Sequence, residues 1–378
     1  MALFSLPPAT RQADLNLTDL FNPGIETEST LSLKRTFPPE WFPQAGIQLT
    51  WPHAQTDWAD MLQEITGLYI RLAFEIATRE CLLIVTPDIS AVKKLLDEQL
   101  PHRATQQIHY FQCPTNDTWA RDHGFLSVLT PQGIEFLDFR FNGWGEKFPA
   151  EKDNQINRHL AEATPALLQG NYVDCLDFVL EGGSIETDGA GTLLTTSTCL
   201  LNPNRNPKLD KATIETLLKQ RLGVDHFLWL DHGFLAGDDT DSHVDTLARL
   251  CPNNTIAYTQ CTNPSDIHYK ALQAMEQQLK SFRTSQNEPF RLVPLPLPRP
   301  LYDPQGQRLP ATYTNFLILN SAVLCPSYDS PETDEAAKAT LTKAFPSREV
   351  ISLDARPLMR QHGSIHCATM QFPRGSFF

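Results

Sequence analysis

From residue 58 to residue 353 the chain repeats one theme, a helix-period segment followed by a short apolar run, and any fold it adopts must accommodate that alternation. Residues 58–78 place Met61, Ile65, Leu68, Tyr69 and Leu72 at helical spacing, which predicts an amphipathic helix. The run Cys81-Leu82-Leu83-Ile84-Val85 reads as a buried strand. Residues 88–100 read as a second helix opened by Asp88, a residue suited to the N-cap, and a strand follows over 108–113. The alternation continues with a helix near 157–168, a strand over 172–180, a hairpin through Asp188-Gly189-Ala190-Gly191, a helix over 210–222 and strands over 226–230 and 255–258. It ends with a helix over 264–282, strands near Phe316 and Val323, a helix over 333–345 and a strand over 350–353. Short strands and hairpins mixed with helices define an α/β or α+β class, and the recurrence points to internal pseudo-symmetry. Residues 1–37 are polar and lack periodicity, so they read as an N-terminal arm. The Pro-rich stretch 292–303 reads either as a linker or as a strand entering a surface loop. Apolar-flanked sequence resumes at once, which favours the strand and a single domain over 38–378.

Charge narrows the partners. Asp and Glu total 44 against 31 Lys and Arg, a net charge of -13, with no basic cluster. A nucleic-acid backbone is therefore a poor ligand, whereas a small cation would be drawn in. No stretch is long and apolar enough to span a bilayer, and the first residues lack the basic region of a signal peptide, so the expected address is the cytoplasm. The eight cysteines form no CxxC pair and several sit in apolar runs, as reduced core thiols do. The chain leaves a homo-oligomer open.

Four short segments concentrate reactive side chains. Trp119-Ala120-Arg121-Asp122-His123-Gly124 packs an aromatic, a cation, a carboxylate and an imidazole together; read alone it is equally an exposed ion pair in a turn. Glu181-Gly182-Gly183-Ser184 follows an apolar strand, and its glycines would let the backbone bend so that Glu181 faces a cleft mouth or, in the plainer reading, solvent. His243 and Asp245 lie two residues apart within the acidic loop 237–245, so on an extended strand both would project into one pocket. The same loop, with His123, offers the rival reading of a metal site through His123, His243, Asp239 and Asp245, a weak one because no third ligand has metal-site spacing. Cys367 follows the small-residue loop Gln361-His362-Gly363-Ser364. A lone cysteine is more often inert than nucleophilic, and only partners such as His243 raise its standing.

Taken together these strings resemble the agmatine deiminase family, which includes the bacterial Porphyromonas-type peptidylarginine deiminases. The resemblance rests on Trp119-Ala-Arg-Asp-His-Gly, on residues 181–196 and 199–207, on Asp239-Thr-Asp-Ser-His-Val-Asp, on Ala311-Thr-Tyr-Thr-Asn-Phe-Leu-Ile-Leu-Asn and on Ile365-His-Cys-Ala-Thr, in order from about Trp41 onward. It implies the pentein fold, a five-bladed α/β propeller of ββαβ-like units around a central channel. It also implies hydrolysis of the guanidine of agmatine without cofactor or metal. By motif, Cys367 becomes the nucleophile, Glu181 and His243 the acid/base partners, and Asp122 and Asp245 the carboxylates that hold the guanidinium. Trp119 is expected to line the approach by stacking or cation–π contact, and the loop at Gly363 to surround the substrate tail. His366 is read as supporting and Arg205 as either bracing a loop or touching ligand. The sequence departs from the family twice: residues 361–364 replace a run of glycines, and Ser242 stands where a Gly commonly precedes the His. Peptidyl-arginine therefore remains the alternative substrate, and a guanidine-binding protein without catalysis a further alternative.

Overall fold

Parallel strands cannot be joined by a tight turn, so each parallel pair in a sheet demands a crossover, usually a helix. In the computed structural model, which describes residues 34–163 and 167–377, six parallel pairs meet this rule, two in the first of five units and one in each of the others. The first unit has strands β1 (Gln44–Thr50), β2 (Cys81–Thr86) and β3 (Ile108–Gln112), mutually parallel, with helices α1 (Leu62–Ala77) and α2 (Ile89–Gln99) as crossovers. Each later unit is an antiparallel pair followed by a helix and a parallel strand. The second comprises β4 (Leu126–Thr130), β5 (Gly133–Arg140), α3 (Asp153–Ala163) and β6 (Asn171–Val179). The third comprises β7 (Ile185–Thr187), β8 (Thr192–Thr196), α4 (Lys211–Leu222) and β9 (His226–Leu230). In the fourth are β10 (Ala248–Cys251), β11 (Thr255–Gln260), α5 (Tyr269–Ser281) and β12 (Arg291–Pro296). The fifth holds β13 (Leu317–Ile318), β14 (Ala322–Ser327), α6 (Pro331–Ala344) and β15 (Glu349–Asp354). The last strand, β16 (Thr369–Pro373), returns to pair antiparallel with β1, which gives the first unit the antiparallel partner that the others already have.

The helices form where the sequence caps them. Asp210 Oδ1 accepts the Thr213 amide at 2.9 Å, and Gly223 ends α4 in the left-handed region at φ 75. Asp88 opens α2 by accepting the Ala91 amide at 3.0 Å. Along α1 the stripe Ile65, Leu68, Leu72 and Ile76 is buried, and each such side chain contributes about 1.5–3 kcal/mol on leaving water. The helix expected over 157–168 instead runs Asp153–Ala163. The Pro-rich stretch is a strand in its first part, β12, paired parallel with β11. The segments not anticipated, β1, the β4–β5 hairpin, β10 and β16, complete the sheets. The expected N-terminal arm lies outside the described residues as far as 33. Thr36 already pairs with Leu129, and Phe37 is buried in the second unit's core.

This topology places five connectors between units, residues 113–125, 180–184, 231–247, 297–316 and 355–368, and they meet one another. Gly183 N donates to Asp122 Oδ1 (3.0 Å), and Asn315 Nδ2 donates to Asp245 Oδ2 (3.1 Å) and to Cys367 Sγ (3.2 Å). Arg121 N donates to the Cys367 carbonyl (3.1 Å), and Glu181 and His243 bring donor atoms within 4.8 Å of each other. The ring of five units is thus closed both by a strand pair and by a circuit of connector contacts. The strand seam has no spare room, since a Cβ on Gly46 would sit 2.5 Å from the Cys81 carbonyl and 2.8 Å from Phe377 Cε2. Gly46→Ala is expected to lower stability by about 1–3 kcal/mol, the usual cost of overpacking, read as a fall in the thermal or denaturant midpoint.

Candidate active site

The connector circuit leaves a partly open cavity of about 130 Å³, and Cys367 is on its wall, only 9% exposed. Cys367 belongs to the turn after α6 and β15, and its position is set by Asn315. One amide group does four things. Asn315 Oδ1 accepts the backbone N–H groups of His366 (3.0 Å) and Cys367 (3.2 Å), while Nδ2 reaches Sγ and Asp245 Oδ2. Asp245 Oδ2 also accepts from His366 Nδ1 at 2.7 Å and lies 3.8 Å from Sγ. Asp245 Oδ1 is buried without a hydrogen-bond partner, and Asp245 lines the cavity. A buried carboxylate oxygen left unpaired costs about 1–3 kcal/mol, so this one is a ready acceptor for a ligand N–H.

Asp122 forms a second acceptor on the cavity wall. Its Oδ2 accepts from Trp144 Nε1 (2.9 Å), and its Oδ1 from Gly183 N, with His243 Nδ1 3.7 Å away. Gly183 is obligatory here, because a Cβ would fall 2.7 Å from His243 Nδ1 and 2.9 Å from Asp122 Oδ1. His243 is 1% exposed and its Nε2 has no partner; neither does Oε2 of fully buried Glu181. Glu181 does not face the cleft mouth as expected. It lies behind His243, and its Oε1 accepts from Arg205 Nε at 3.0 Å. Arg205 braces rather than binds: it ties Glu181 to Asp241 and to the Thr240 carbonyl.

Burial and charge set the protonation states. Burial pushes the Cys367 thiol well above the ordinary thiol range, and the Asp245 and Asp122 carboxylates push it further. Burial also raises Asp122 well above the carboxylate range, with Asp245 adding to it. Burial opposes ionisation of Asp245 too, but the hydrogen bond and charge of His366 outweigh it and its carboxyl titrates below the usual range. His243 is driven by burial down to about 3, so its imidazole is neutral at physiological pH. The site therefore sets a thiol and a neutral imidazole beside two carboxyl groups shifted in opposite directions, Asp245 down and Asp122 up.

Towards the mouth, Trp119 lines the cavity and also packs on Trp58 with ring centroids 5.7 Å apart. Gly363 lies flat against Trp119, where any Cβ would collide with the ring. Asp57, Asp117, Asp238 and Asp239 complete the acidic wall with Gln361 and His362. Burial raises Asp117 to about 6, and raises Asp239 to about 6 against the opposing charge of His362.

Of the expected site residues, Cys367, His243, Asp122, Asp245, Trp119 and Gly363 all line this one cavity, and Glu181 backs His243. The route differs from the one expected. His243 and Asp245 do not share a strand, since Val244–Thr246 is a 3₁₀ turn with His243 at its N-cap. Ser242 occupies the left-handed region (φ 64), which explains why glycine suits that position; Asp238 Oδ2 accepts its amide at 2.6 Å and holds it there. The rival metal set is not assembled, because His123 turns instead to Thr50 at 3.3 Å and is absent from the cavity wall. Sequence reasoning missed two residues that hold this site: Asn315 lies inside a quoted motif, and Trp144 is flagged only by the flanking Gly143 and Gly145.

Five ββαβ units closed into a ring, with a cysteine, a histidine and paired carboxylates on the connectors, define a guanidine-modifying α/β propeller. The chain belongs to the Porphyromonas-type peptidyl-arginine deiminase family, whose model matches residues 36–373. It is 34% identical over 360 residues to an agmatine deiminase of Pseudomonas fluorescens, covering 89% of this chain and 95% of that protein. A Porphyromonas gingivalis structure provisionally described as an arginine deiminase is 50% identical, with a TM-score of 0.86 over 91% of this chain and 100% of that one. A C. jejuni agmatine deiminase, in a cysteine-to-serine form with substrate bound, is 38% identical, with a TM-score of 0.83 over 93% of this chain and 100% of that one.

The raised thiol pKa has a direct readout. In ligand-free protein the rate of Cys367 alkylation by iodoacetamide should keep climbing above about pH 9, because thiolate appears only as pH exceeds the raised pKa. A plateau below about pH 8, the region of an ordinary free thiol, would show an already ionised cysteine.

Proposed function

We propose that the protein is an agmatine deiminase, converting agmatine and water to N-carbamoylputrescine and ammonia, a step towards putrescine. The observation that carries this reading is the cavity wall, which holds six aspartates, Asp57, Asp117, Asp122, Asp238, Asp239 and Asp245, and no Lys or Arg among the described residues. Agmatine is cationic at both ends. Its guanidinium meets Asp122 and Asp245 Oδ1 at depth, and its amine meets the acidic mouth. The α-carboxylate of free arginine would instead meet that acidic mouth, with no Lys or Arg on the wall to pair with it.

In this reading the substrate supplies the charge that the free site lacks. A guanidinium beside Sγ offsets the two carboxyl groups that raise the thiol pKa, and its charge favours the ionised form of Asp122. Cys367 then attacks the guanidine carbon. Neutral His243 receives the thiol proton and passes it to the departing nitrogen, which leaves as ammonia, and the carbon stays bound to sulfur as a thiouronium. Water replaces sulfur in the second half: His243 takes a proton from it, Glu181 behind the ring steadies the imidazolium, and the C–S bond breaks to give the ureido product. Asn315 donates to Sγ each time it carries negative charge.

Purified enzyme should release ureido product from agmatine in preference to free arginine and arginine peptides. Cys367→Ser should bind agmatine and form no product. Because Asp117 and Asp239 lose their charge as pH falls through about 6, KM for agmatine should rise below that pH. Citrullination of peptides with no turnover of agmatine would overturn the substrate assignment.

A further inference from the structure

Asp245 would hold the guanidinium only if its free oxygen stays aimed at the cavity, and the parts that aim it extend well beyond the site. Its other oxygen is pinned by His366 Nδ1 at 2.7 Å. The opposite ring nitrogen, Nε2, faces Glu40 Oε2 at 2.6 Å. Glu40 lies ahead of β1, 326 residues from His366 in sequence, and is itself fixed from three sides. Arg249 NH2 donates to its Oε2 (2.6 Å), the Ile318 amide donates to its Oε1 (2.6 Å), and Arg121 NH2 lies 3.8 Å from Oε2. All of these groups are buried.

Stability does not account for such a cluster. Burying several charges costs desolvation that their mutual attraction only partly returns, and apolar residues of similar size are often as stabilising. Geometry does account for it. With a carboxylate at each nitrogen, the His366 ring can neither flip nor slide, and Asp245 Oδ2 cannot rotate away from it. Neither Glu40 nor His366 lines the cavity, so neither touches a ligand there.

We propose that Glu40 is a positioning residue for the deiminase site, acting through His366 to hold Asp245 in its guanidinium-binding orientation. The segment ahead of the first strand thereby contributes to substrate binding without reaching the substrate. This inference rests on the proposed guanidine chemistry, and the test separates the two.

Glu40→Gln keeps the shape but removes the charge that holds His366. In active-site-titrated enzyme KM for agmatine should rise on the order of tenfold or more, the usual cost of losing a partner behind a binding group, while kcat changes much less. In the Cys367→Ser background the same substitution should weaken agmatine binding by a similar factor, measured by calorimetry. Glu186→Gln is the control: Glu186 shares Arg249 and accepts the Leu250 amide at 3.0 Å but makes no hydrogen bond to His366. A merely structural ion cluster predicts equal losses in both variants, and positioning predicts a clearly larger KM effect for Glu40→Gln than for Glu186→Gln, whose carboxylate lies within 4.8 Å of His366 without a hydrogen bond to it. Should Glu40→Gln fail to fold, His366→Gln removes the same link and must give the same KM-dominated loss. Unchanged KM and affinity, or an equal effect from Glu186→Gln, overturns the inference while leaving the deiminase reading intact. Absence of agmatine binding by Cys367→Ser itself would remove that reading, and this inference with it.

Discussion

The pairing of β16 with β1 is the contact on which the remainder depends. Four units carry their own antiparallel partner in sequence, but the first must borrow one, and the borrowed strand follows directly after Cys367. Closing the ring therefore does two things through a few backbone hydrogen bonds. It satisfies the edge that β1 would otherwise expose, and it brings the cysteine turn against the connector holding Arg121 and Asp122. The lack of space around Gly46 shows how little tolerance the seam has.

Inside the ring, charge and burial work against each other. Several carboxylates converge where water is scarce, and the protein copes unevenly. The hydrogen bond and charge of His366 hold the Asp245 carboxyl below the usual range against burial, whereas burial raises Asp122 and the Cys367 thiol well above theirs. Such a site is electrostatically incomplete. A planar cation with several N–H donors would complete it, and in the proposed mechanism the same charge that gives affinity also activates Cys367. Specificity for cations and catalytic competence then share one physical origin.

Elements with strong local signals were legible in the sequence. Helix α4 is bracketed by Asp210 and Gly223, and α1 by an unbroken apolar stripe, so periodicity and caps located both. The β4–β5 hairpin was passed over because nearly all of its residues are buried, which erases the alternation that marks a half-exposed strand. At the site, Cys367, His243, Asp122 and Asp245 were found through motif resemblance. Their geometry was not, since a 3₁₀ turn and a left-handed pair at Asp241 and Ser242 replaced the supposed strand. Glu181 was expected at the mouth but sits behind His243, an arrangement set by Arg205 from the segment between β8 and α4. Glu40 lies beyond any local pattern, because its role exists only once distant segments have met.

The order of the connectors along the chain also bears on timing. Asp122, Glu181, His243, Asp245, Asn315 and Cys367 occur in that sequence, so a ribosome makes the nucleophile after every group that restrains or assists it. Until β16 emerges and docks against β1 the ring is unclosed, and a chain that stops before residue 367 lacks both Cys367 and the closing strand. Under the proposed chemistry, activity is thus a report that synthesis has passed this seam.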